Sequence, residues 1–517
     1  MLNLLTEPLI RVKTTSGERM GCSLPRVLSL LAADAVAEFS AQRPHQRHPW
    51  HAFLVQLAAM ALHGAGRAEV PADEGDWVTL IRALTPEWPD DEPWSLVAPP
   101  DQPAFLQPPV PKGDLSAFKT TIRTPDALDM LVTSRNHDLK AELMSDASPD
   151  DWLFALVSLQ TMEGFMGQGN YGISRMNGGF SNRPALGIAP QGGLGAHFRR
   201  DVRVLLNGGR NEILRQVALK AQGGVSLVWL LPWDGVEQIP FATLDPLYIE
   251  ICRRVRLRSQ GSRIDAVVAN SRKARIAADG LQGNTGDPWT PVDVKEAKAL
   301  SITGEGFSYR RMVDLLLGAA YRKPILQELD TADGEDGLSV LARGLARGQG
   351  KTEGYHERVV PVSKEVVRFF RNSTDPLAEL AKARVGDAGV LRGQVLRPAL
   401  FSLLQKGPDS IAYGAKTTPV QAEPWLDRFE QRVDQTFFPD LWREAAAPQN
   451  EQAAIRREWI WSMADAALHL LEEATRAVPK ASMRRYRAKV RSRDLFFILL
   501  RKRFPDLTHE DVHERTA

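Results

Sequence analysis

Long helical periodicities in the last third of the chain constrain the fold more than any other feature of this sequence. Apolar residues recur with helical spacing over 376–405, 419–446, 450–478 and 482–503, and joints that contain glycine or proline separate these runs. Antiparallel helices of this length form a bundle when their apolar stripes meet. The sequence therefore predicts a C-terminal four-helix bundle over 361–517, with a boundary between about 355 and 365.

The preceding residues, 1–360, lack this regularity and mix short helical and strand patterns. The expected elements are a short edge strand at 3–12, helices at 24–39, 49–62 and 151–163, and strands at 202–206 and 224–231. Between Pro86 and Pro111, nine prolines in 26 residues argue against regular structure. We therefore expect an α+β fold, with a large irregular N-terminal domain before the bundle.

Composition excludes several classes of protein. Of the 517 residues, 43% are hydrophobic and 25% are charged, which is typical of a globular protein, and the net charge is only +2. Cys22 and Cys252 are too few for a disulfide framework or a cysteine-rich zinc site, so an intracellular, reducing compartment fits. The most apolar stretch, Ala52 to Leu62, is too short to span a membrane, and the N-terminus does not resemble a signal peptide. The sequence predicts a cytoplasmic protein without a membrane partner.

A glycine-rich segment runs from Gly164 to Gly195, with ten glycines in 32 residues. Within it, residues 167–172 match the G-x-G-x-x-G dinucleotide fingerprint. That fingerprint requires a strand before it and a helix after it, whereas here a predicted helix precedes it and a stretch rich in Gly, Asn and Pro follows. We expect no nucleotide fold. Glycines without Cβ atoms still allow the backbone to approach a ligand closely.

Other motifs suggest enzymatic chemistry without completing it. Residues 344–352 resemble a P-loop, but Gly344 and Gly350 are separated by five residues rather than four, so we expect a flexible basic loop there. His137-Asp138 is one pair of the kind found in metal-dependent phosphohydrolases, too few ligands for a two-metal centre. His45, His48 and His51 are spaced by three, but prolines interrupt a single regular helix. The sequence predicts no enzyme, no cofactor and no metal; a nucleotide-dependent ATPase or nuclease remains the alternative.

Two clusters of basic residues suggest nucleic-acid binding. The first extends from Cys252 to Arg275, and its basic residues are Arg253, Arg254, Arg256, Arg258, Arg263, Arg272, Lys273 and Arg275. The second extends from Arg476 to Arg503 and holds eleven basic residues against Asp494 alone; its candidate DNA contacts are Arg484, Arg485, Lys489 and Arg491. Concentrated positive charge with interleaved aromatic residues suits a phosphate backbone.

The order of several short motifs resembles the large subunit of the type I-E CRISPR Cascade complex, the CasA family. These motifs are NLLTEPLIRV at 3–12, PAFLQ at 103–107, MGQGNYGISRMNGGFSNRP at 166–184 and the terminal helical bundle. The resemblance implies a non-catalytic subunit of an RNA-guided DNA surveillance complex. Its implied partners are a CRISPR guide RNA, double-stranded target DNA, other Cascade subunits and a recruited helicase-nuclease. Its implied role is to recognise the protospacer-adjacent motif and to help unwind the target.

The resemblance also implies roles for individual residues. A glycine loop that enters the minor groove corresponds to Gly167, Gln168, Gly169 and Asn170, and a minor-groove lysine corresponds to Lys273. A wedge that splits the first target base pair corresponds to the turn at Tyr321, Arg322, Lys323 and Pro324. A loop that anchors the subunit near the end of the guide corresponds to Ser134, Arg135, Asn136, His137 and Lys140.

Two features depart from the family pattern. A glutamine often forms the tip of the wedge, whereas here Lys323-Pro324 occupies the assigned turn and Gln327 lies farther on. Some relatives have a four-cysteine metal site near the positions of Ser145 and Cys252. This chain lacks that set of four cysteines, so we expect no structural zinc there.

A stand-alone scaffold that binds RNA or a protein partner is a further alternative for the function of the chain.

Overall fold

The computed structural model of the chain describes residues 2–129, 144, 146–178, 183–261, 263–333, 336–348, 351–477 and 482–507. The chain forms two compact units. The first consists of Met1–Phe307 and Ala319–Pro361, and the second of Ser308–Gly318 and Val362–Ala517. Ser308–Gly318, which the sequence analysis assigns to the N-terminal domain, thus belongs to the second unit.

The first unit combines helices with short strands. Its described α-helices are α1 (Leu24–Ala32), α2 (Arg47–Gly64), α3 (Glu74–Arg82), α4 (Pro125–Leu128), α5 (Pro149–Met162), α6 (Leu194–Val204) and α7 (Arg210–Gln216). Its described strands are β1 (Ile10–Thr14), β2 (Arg19–Cys22), β3 (Val36–Phe39), β4 (Thr120–Ile122), β5 (Ala185–Pro190), β6 (Val225–Leu227), β7 (Ile239–Pro240), β8 (Leu244–Ile249), β9 (Arg254–Gln260), β10 (Arg263–Ala269), β11 (Ile276–Ala277), β12 (Val292–Asp293), β13 (Tyr321–Arg322), β14 (Leu338–Gly348) and β15 (Lys351–Val362).

These strands form small, separate sheets. Three sheets have three strands each, in the orders β2-β1-β3, β4-β10-β9 and β15-β14-β5, and the remaining described strands pair as β11-β7, β12-β13 and β6-β8. The edge strand predicted at 3–12 is wrong in two respects: β1 begins only at Ile10, and it lies in the middle of its sheet. Pro8 precedes β1 and so removes no hydrogen bond from the sheet, while Ile10 and Val12 are fully buried.

Two helices that are apolar on all sides lie in the core of the first unit. The helices predicted at 49–62 and 151–163 are confirmed as α2 and α5, and nearly every side chain of both is buried. A capping box between Ser148 and Asp151 begins α5. Trp50 of α2 packs edge-on against Phe154 of α5, with 5.3 Å between ring centroids. Helices apolar all round are stable only inside a core, which matches their position here.

Three sequence expectations are corrected in this unit. The helix predicted over 24–39 ends at Ala32, and β3 follows after a turn in which Asp34 has a φ of 53°. Residues 202–204 end α6 and residues 205–206 begin a π-helical segment instead of forming a strand, and Val202 and Leu205 are fully buried at helical spacing. The strand predicted at 224–231 is limited to β6 and then becomes a 3₁₀ turn.

The described part of the second unit is helical. Its helices are α8 (Tyr309–Leu317), α9 (Lys364–Asn372), α10 (Asp375–Val390), α11 (Arg397–Leu404), α12 (Thr417–Ala446), α13 (Gln449–Ala477) and α14 (Ser482–Arg503), with a π-helical segment, Leu391–Leu396, joining α10 to α11. The four helical runs predicted from periodicity correspond to α10 with α11, and to α12, α13 and α14. Together with the mixed first unit, they confirm the α+β class.

A buried ion pair lies inside this helical unit. Arg384 of α10 donates from Nε to Glu444 Oε2 of α12 at 2.5 Å, and its guanidinium lies 4.7 Å from the ring centroid of Trp459 on α13. The ion pair and the ring contact connect α10, α12 and α13.

None of the helices in the described part of the chain combines the length and apolar character that spanning a bilayer requires.

Candidate nucleic-acid interface

A tight turn at residues 167–170 is the tip of the glycine-rich segment. The N–H of Met166 donates to the carbonyl of Asn170, and the N–H of Asn170 donates to the carbonyl of Gly167, each at 2.9 Å. Gly167 and Gly169 have φ angles of 110° and 90°, which L side chains rarely adopt. Gln168 is exposed between them. The turn therefore exposes the Gln168 side chain and leaves Gly167 and Asn170 half-buried, while Gly169 is buried against Asn270.

The structure brings this turn next to the segment that carries Lys273. The N–H of Ser271 donates to the carbonyl of Gly169 at 3.0 Å. A Cβ on Gly169 would lie 2.9 Å from the side-chain Cγ of Asn270. Lys273 follows two residues after Ser271 and is exposed. The glycine turn and the lysine, assigned separately from the resemblance, thus lie on two segments in direct contact.

Buried polar groups hold the base of the glycine-rich segment. The N–H of Ser174 donates to Glu250 Oε2 at 2.6 Å, and Arg175 donates to the carbonyl of Tyr248 at 2.7 Å while its guanidinium lies 3.8 Å from the Tyr248 ring centroid. Burial raises the pKa of Tyr248 to about 12, so its hydroxyl stays neutral. Cys252 packs beside Ile173 beneath the segment. The exposed Gln168 at the tip of the segment is therefore followed by residues 173–175, which are held by buried hydrogen bonds and packing.

The hairpin of β14 and β15 contacts the same segment from another side. Arg347 on β14 donates to Glu163 Oε2 at 3.1 Å and also contacts the sulfur of Met166. Leu345 on β14 packs against Met162. Sequence reasoning did not include the hairpin in the site, because residues 344–352 were expected to form a loop. A short run rich in apolar residues, Leu338 to Ala342, was the available strand signal, although its apolar and polar residues do not alternate strictly.

Much of the basic cluster at 252–275 is interior, which corrects the expectation of one charged surface. Arg256 is only 2% exposed and donates to five backbone carbonyls, those of residues 98, 99, 102, 107 and 108. Arg275 donates to the carbonyls of Leu231 and Pro232, and Arg254 is buried over the Phe118 ring. Burial lowers the pKa of both Arg256 and Arg275 to about 10. These arginines hold irregular backbone together.

Exposed cations remain at the edge of that cluster. Arg263, Arg272 and Lys273 are exposed. The N–H of Arg272 donates to the carbonyl of Gly235 at 2.6 Å, which fixes the backbone between Ser271 and Lys273. Arg272 therefore joins Lys273 as a candidate contact, one that the resemblance did not include.

The assigned wedge has a different local structure from the turn expected. Tyr321 and Arg322 form β13, which pairs with β12, and Pro324 is buried. Arg322 donates to Asn284 Oδ1 at 2.7 Å, and burial lowers the pKa of both Arg322 and Lys323. The segment is thus a two-residue, half-buried strand followed by half-buried Lys323 and buried Pro324, and it does not project into solvent.

Helix α14 presents exposed cations in the second unit. Arg485 and Lys489 are exposed. Arg491 instead forms an ion pair with Asp409 and donates to the carbonyl of Gly407 at 3.3 Å. The side chain of Arg484 lies outside the described residues. So do all five residues assigned to guide anchoring: Ser134, Arg135, Asn136, His137 and Lys140.

The motifs suggestive of enzymes take other structures. Residues 344–348 lie in β14 and β15 follows, so the strand-to-helix geometry of a P-loop does not form. His45 forms a buried hydrogen bond with Asp129 at 2.7 Å. His51, on α2, contacts Asp201 and stacks against His197; among the described residues these three side chains are the group that could hold a metal ion. Burial lowers the pKa of His51 to about 4, so the imidazole is neutral at physiological pH.

The fold occurs in solved structures of one class of protein, components of CRISPR systems. Thermobifida fusca Cse1 shares 16% sequence identity at a TM-score of 0.64, with 98% of each chain covered. Thermus thermophilus CasA (Cse1) shares 15% at 0.63, covering 97% of this chain and 99% of that one. A chain of a structure titled "CRISPR RNA-guided surveillance complex" shares 12% at 0.50, covering 96% and 99%. Identities this low show a common fold.

The family model of the CRISPR-associated protein Cse1 matches residues 3–470. The chain therefore belongs to the Cse1 family, and the resemblance drawn from the sequence is confirmed. A search of the curated proteins finds no match.

Proposed function

We propose that this chain is the non-catalytic large subunit of an RNA-guided DNA surveillance complex. Membership of the Cse1 family and the fold shared with a chain of a surveillance complex support this assignment. The partners are then a CRISPR guide RNA, further subunits and double-stranded target DNA, in the cytoplasm. Recruitment of a helicase-nuclease completes the role, because guide pairing marks a target without cutting it.

The proposed DNA reader is the turn at 167–170 together with the exposed cations Arg272 and Lys273. The hydrogen bond from Ser271 to Gly169 carries the proposal, because it joins the turn that exposes Gln168 and part of Gly167 to a positively charged neighbour. Such a surface suits the narrow minor groove, whose edges distinguish A·T from G·C pairs but little else. The reader should therefore tolerate several related motifs.

Opening of the duplex requires a wedge beside the reader. Tyr321 and Arg322 lie in a half-buried strand, and the following Lys323 and Pro324 are half-buried and buried, so the segment is poorly suited to insertion between bases. The β14–β15 hairpin is better placed, because Arg347 near its end contacts Glu163 and Met166 beside the turn. Gln349 stands between the two strands in the sequence, outside the described residues. A glutamine there agrees with the family's wedge, and we place the wedge on this hairpin.

The basic helix α14 is proposed to follow the displaced strand. Its exposed cations Arg485 and Lys489 can neutralise phosphates. We include Arg484 as a third phosphate contact because it directly precedes Arg485 in the sequence. Contact of α14 with a neighbouring subunit is the competing outcome.

Binding of the assembled complex to matched duplex targets tests the reader. Lys273→Ala should lower affinity for a target with the motif by about 10-fold and leave co-purification of guide and subunits unchanged. Lys220→Ala, another exposed lysine of the first unit, is the charge-matched control and should bind as wild type does. Equal affinity of the wild-type complex for targets with and without the motif would refute the proposed function.

A further inference from the structure

Three side chains with metal-binding atoms converge in the first unit, on two helices that the proposed DNA reader does not use. His51 lies on α2, and His197 and Asp201 lie one turn apart on α6. The Nε2 atoms of His51 and His197 lie 2.9 and 3.3 Å from Asp201 Oδ2. The three ligand atoms all lie within 4.8 Å of one another.

The spacing suits a single ion. Ligand atoms around a tetrahedral zinc ion, with bonds of about 2.0–2.2 Å, lie about 3.3 Å apart. The i, i+4 relation of His197 and Asp201 directs both side chains from one face of α6. The two imidazole rings stack at 4.1 Å between centroids with only 20° between their planes. One ring must therefore turn about its Cβ–Cγ bond for both nitrogen lone pairs to meet at the ion.

A buried carboxylate and a buried imidazole nitrogen meet at this point. Asp201 is fully buried, and its Oδ1 accepts a hydrogen bond from Arg200 at 3.2 Å. Arg200 also pairs with Asp333, and Arg203 pairs with Asp330 and Asp333. These two arginines and three aspartates carry one more negative than positive charge, and Arg47, Arg343 and Glu38 on the adjoining cavity balance that excess. The Nε2 of His197 is buried, and its 3.3 Å contact with Asp201 Oδ2 lacks the alignment of a hydrogen bond. A metal ion would give this nitrogen a well-aligned partner and would place a cation against the buried Asp201 carboxylate.

The cluster is accessible from a cavity of about 610 Å³, which His51 and His197 help to line. Arg47, Glu38 and Arg343 line the same cavity. A site with three protein ligands keeps a fourth position for water, and the cavity provides space for that water and a path for the ion.

We propose that His51, His197 and Asp201 bind one divalent transition-metal ion, with zinc as the best match to a set of two imidazoles and one carboxylate. The site is distinct from the four-cysteine site of some relatives, since neither Cys22 nor Cys252 contributes. Arg200 acts as its outer support by orienting the Asp201 carboxylate.

Metal uptake by the full-length chain tests the proposal. After treatment with a chelator, the protein is dialysed against zinc and the bound metal is measured by mass spectrometry. Wild type should retain about one zinc per chain, and His197→Gln should bind at least about 100-fold more weakly. His63→Gln, an exposed histidine on the same helix as His51, should bind as wild type does. Retention of one zinc by His197→Gln, or none by wild type, would overturn the site.

Cobalt substitution of the wild-type chain gives an answer independent of any variant's folding. Bound cobalt should show visible d–d absorption of a tetrahedral or five-coordinate ion without a thiolate charge-transfer band. A thiolate band would place the metal on cysteine, and no visible band would leave a purely hydrogen-bonded cluster; either result contradicts the proposal. DNA binding is not part of this experiment, so the site can fail while the proposed function stands.

Discussion

Gly169 occupies a position that no other residue type can take without strain. Its φ is 90°, and a Cβ there would overlap the side chain of Asn270 at 2.9 Å. Its carbonyl also accepts the hydrogen bond from Ser271 that joins the turn to the lysine segment. Positive φ and close packing together cost a side chain about 1–3 kcal/mol. The local geometry of the reader therefore depends on this one glycine.

Gly169→Ala should displace the turn from Ser271 and weaken binding to targets with the motif by about 10-fold, while the complex still assembles. Gly178→Ala is the matched control in the same segment, since a Cβ there meets nothing within 4 Å. Electrophoretic titration of the two complexes compares them. Similar losses for both variants would mean that the turn does not position the reader.

At the scale of elements, the β14–β15 hairpin and β13 offer two locations for the wedge. Gln349→Ala should slow opening of the first target base pairs, measured with a fluorescent base analogue, and the defect should disappear on DNA that is already unpaired beside the motif. Lys323→Ala, in the half-buried segment, should open DNA at the wild-type rate. The reverse pattern would return the wedge to residues 321–324.

The contribution of the α14 cations to DNA binding can be measured through the salt dependence of the affinity. Replacing Arg485 and Lys489 together with alanine should reduce the slope of log affinity against log salt by about 1.4–1.8. Arg491→Ala should change the slope less, because Asp409 already pairs with that guanidinium. An unchanged slope in the double variant would favour contact with a neighbouring subunit over the displaced strand.

At the scale of the whole molecule, the second unit includes a segment distant in sequence. Tyr309 on α8 donates its hydroxyl to Glu430 Oε2 at 2.9 Å, and its ring centroid lies 4.7 Å from that of Phe437 on α12. Its backbone N–H donates to Asp434 at 2.5 Å. A bundle built only from residues after 361 would leave these partners exposed.

Tyr309→Ala should destabilise the protein by about 3–5 kcal/mol, because it leaves a cavity in the core of the second unit. Tyr309→Phe keeps the ring and should cost only about 1–2 kcal/mol. Denaturant titration measures both changes, and a double-mutant cycle of Tyr309→Phe with Glu430→Ala, which removes the acceptor, measures the coupling through the hydrogen bond. No coupling between Tyr309 and Glu430 would show that α8 stabilises the unit through apolar packing alone.

Local patterns determined much of this protein. Apolar runs of helical length located α2 and α5, and helical spacing located the long helices of the second unit, because burial is encoded over a few turns. The run of glycines marked the turn at 167–170, since positive φ is a property of single residues. The family resemblance, drawn from short motifs in order, is confirmed by the family model.

Tertiary structure decided the rest, because it depends on contacts between residues far apart in sequence. A run of basic residues does not reveal which side chains face solvent and which bind backbone carbonyls. In one cluster Arg256 is buried against carbonyls, whereas Lys273 is exposed. The hydrogen bond between Ser271 and Gly169 spans about a hundred residues, and the meeting of His51 with Asp201 spans 150. Periodicity identifies which faces are buried, but only the packed chain determines what lies against them.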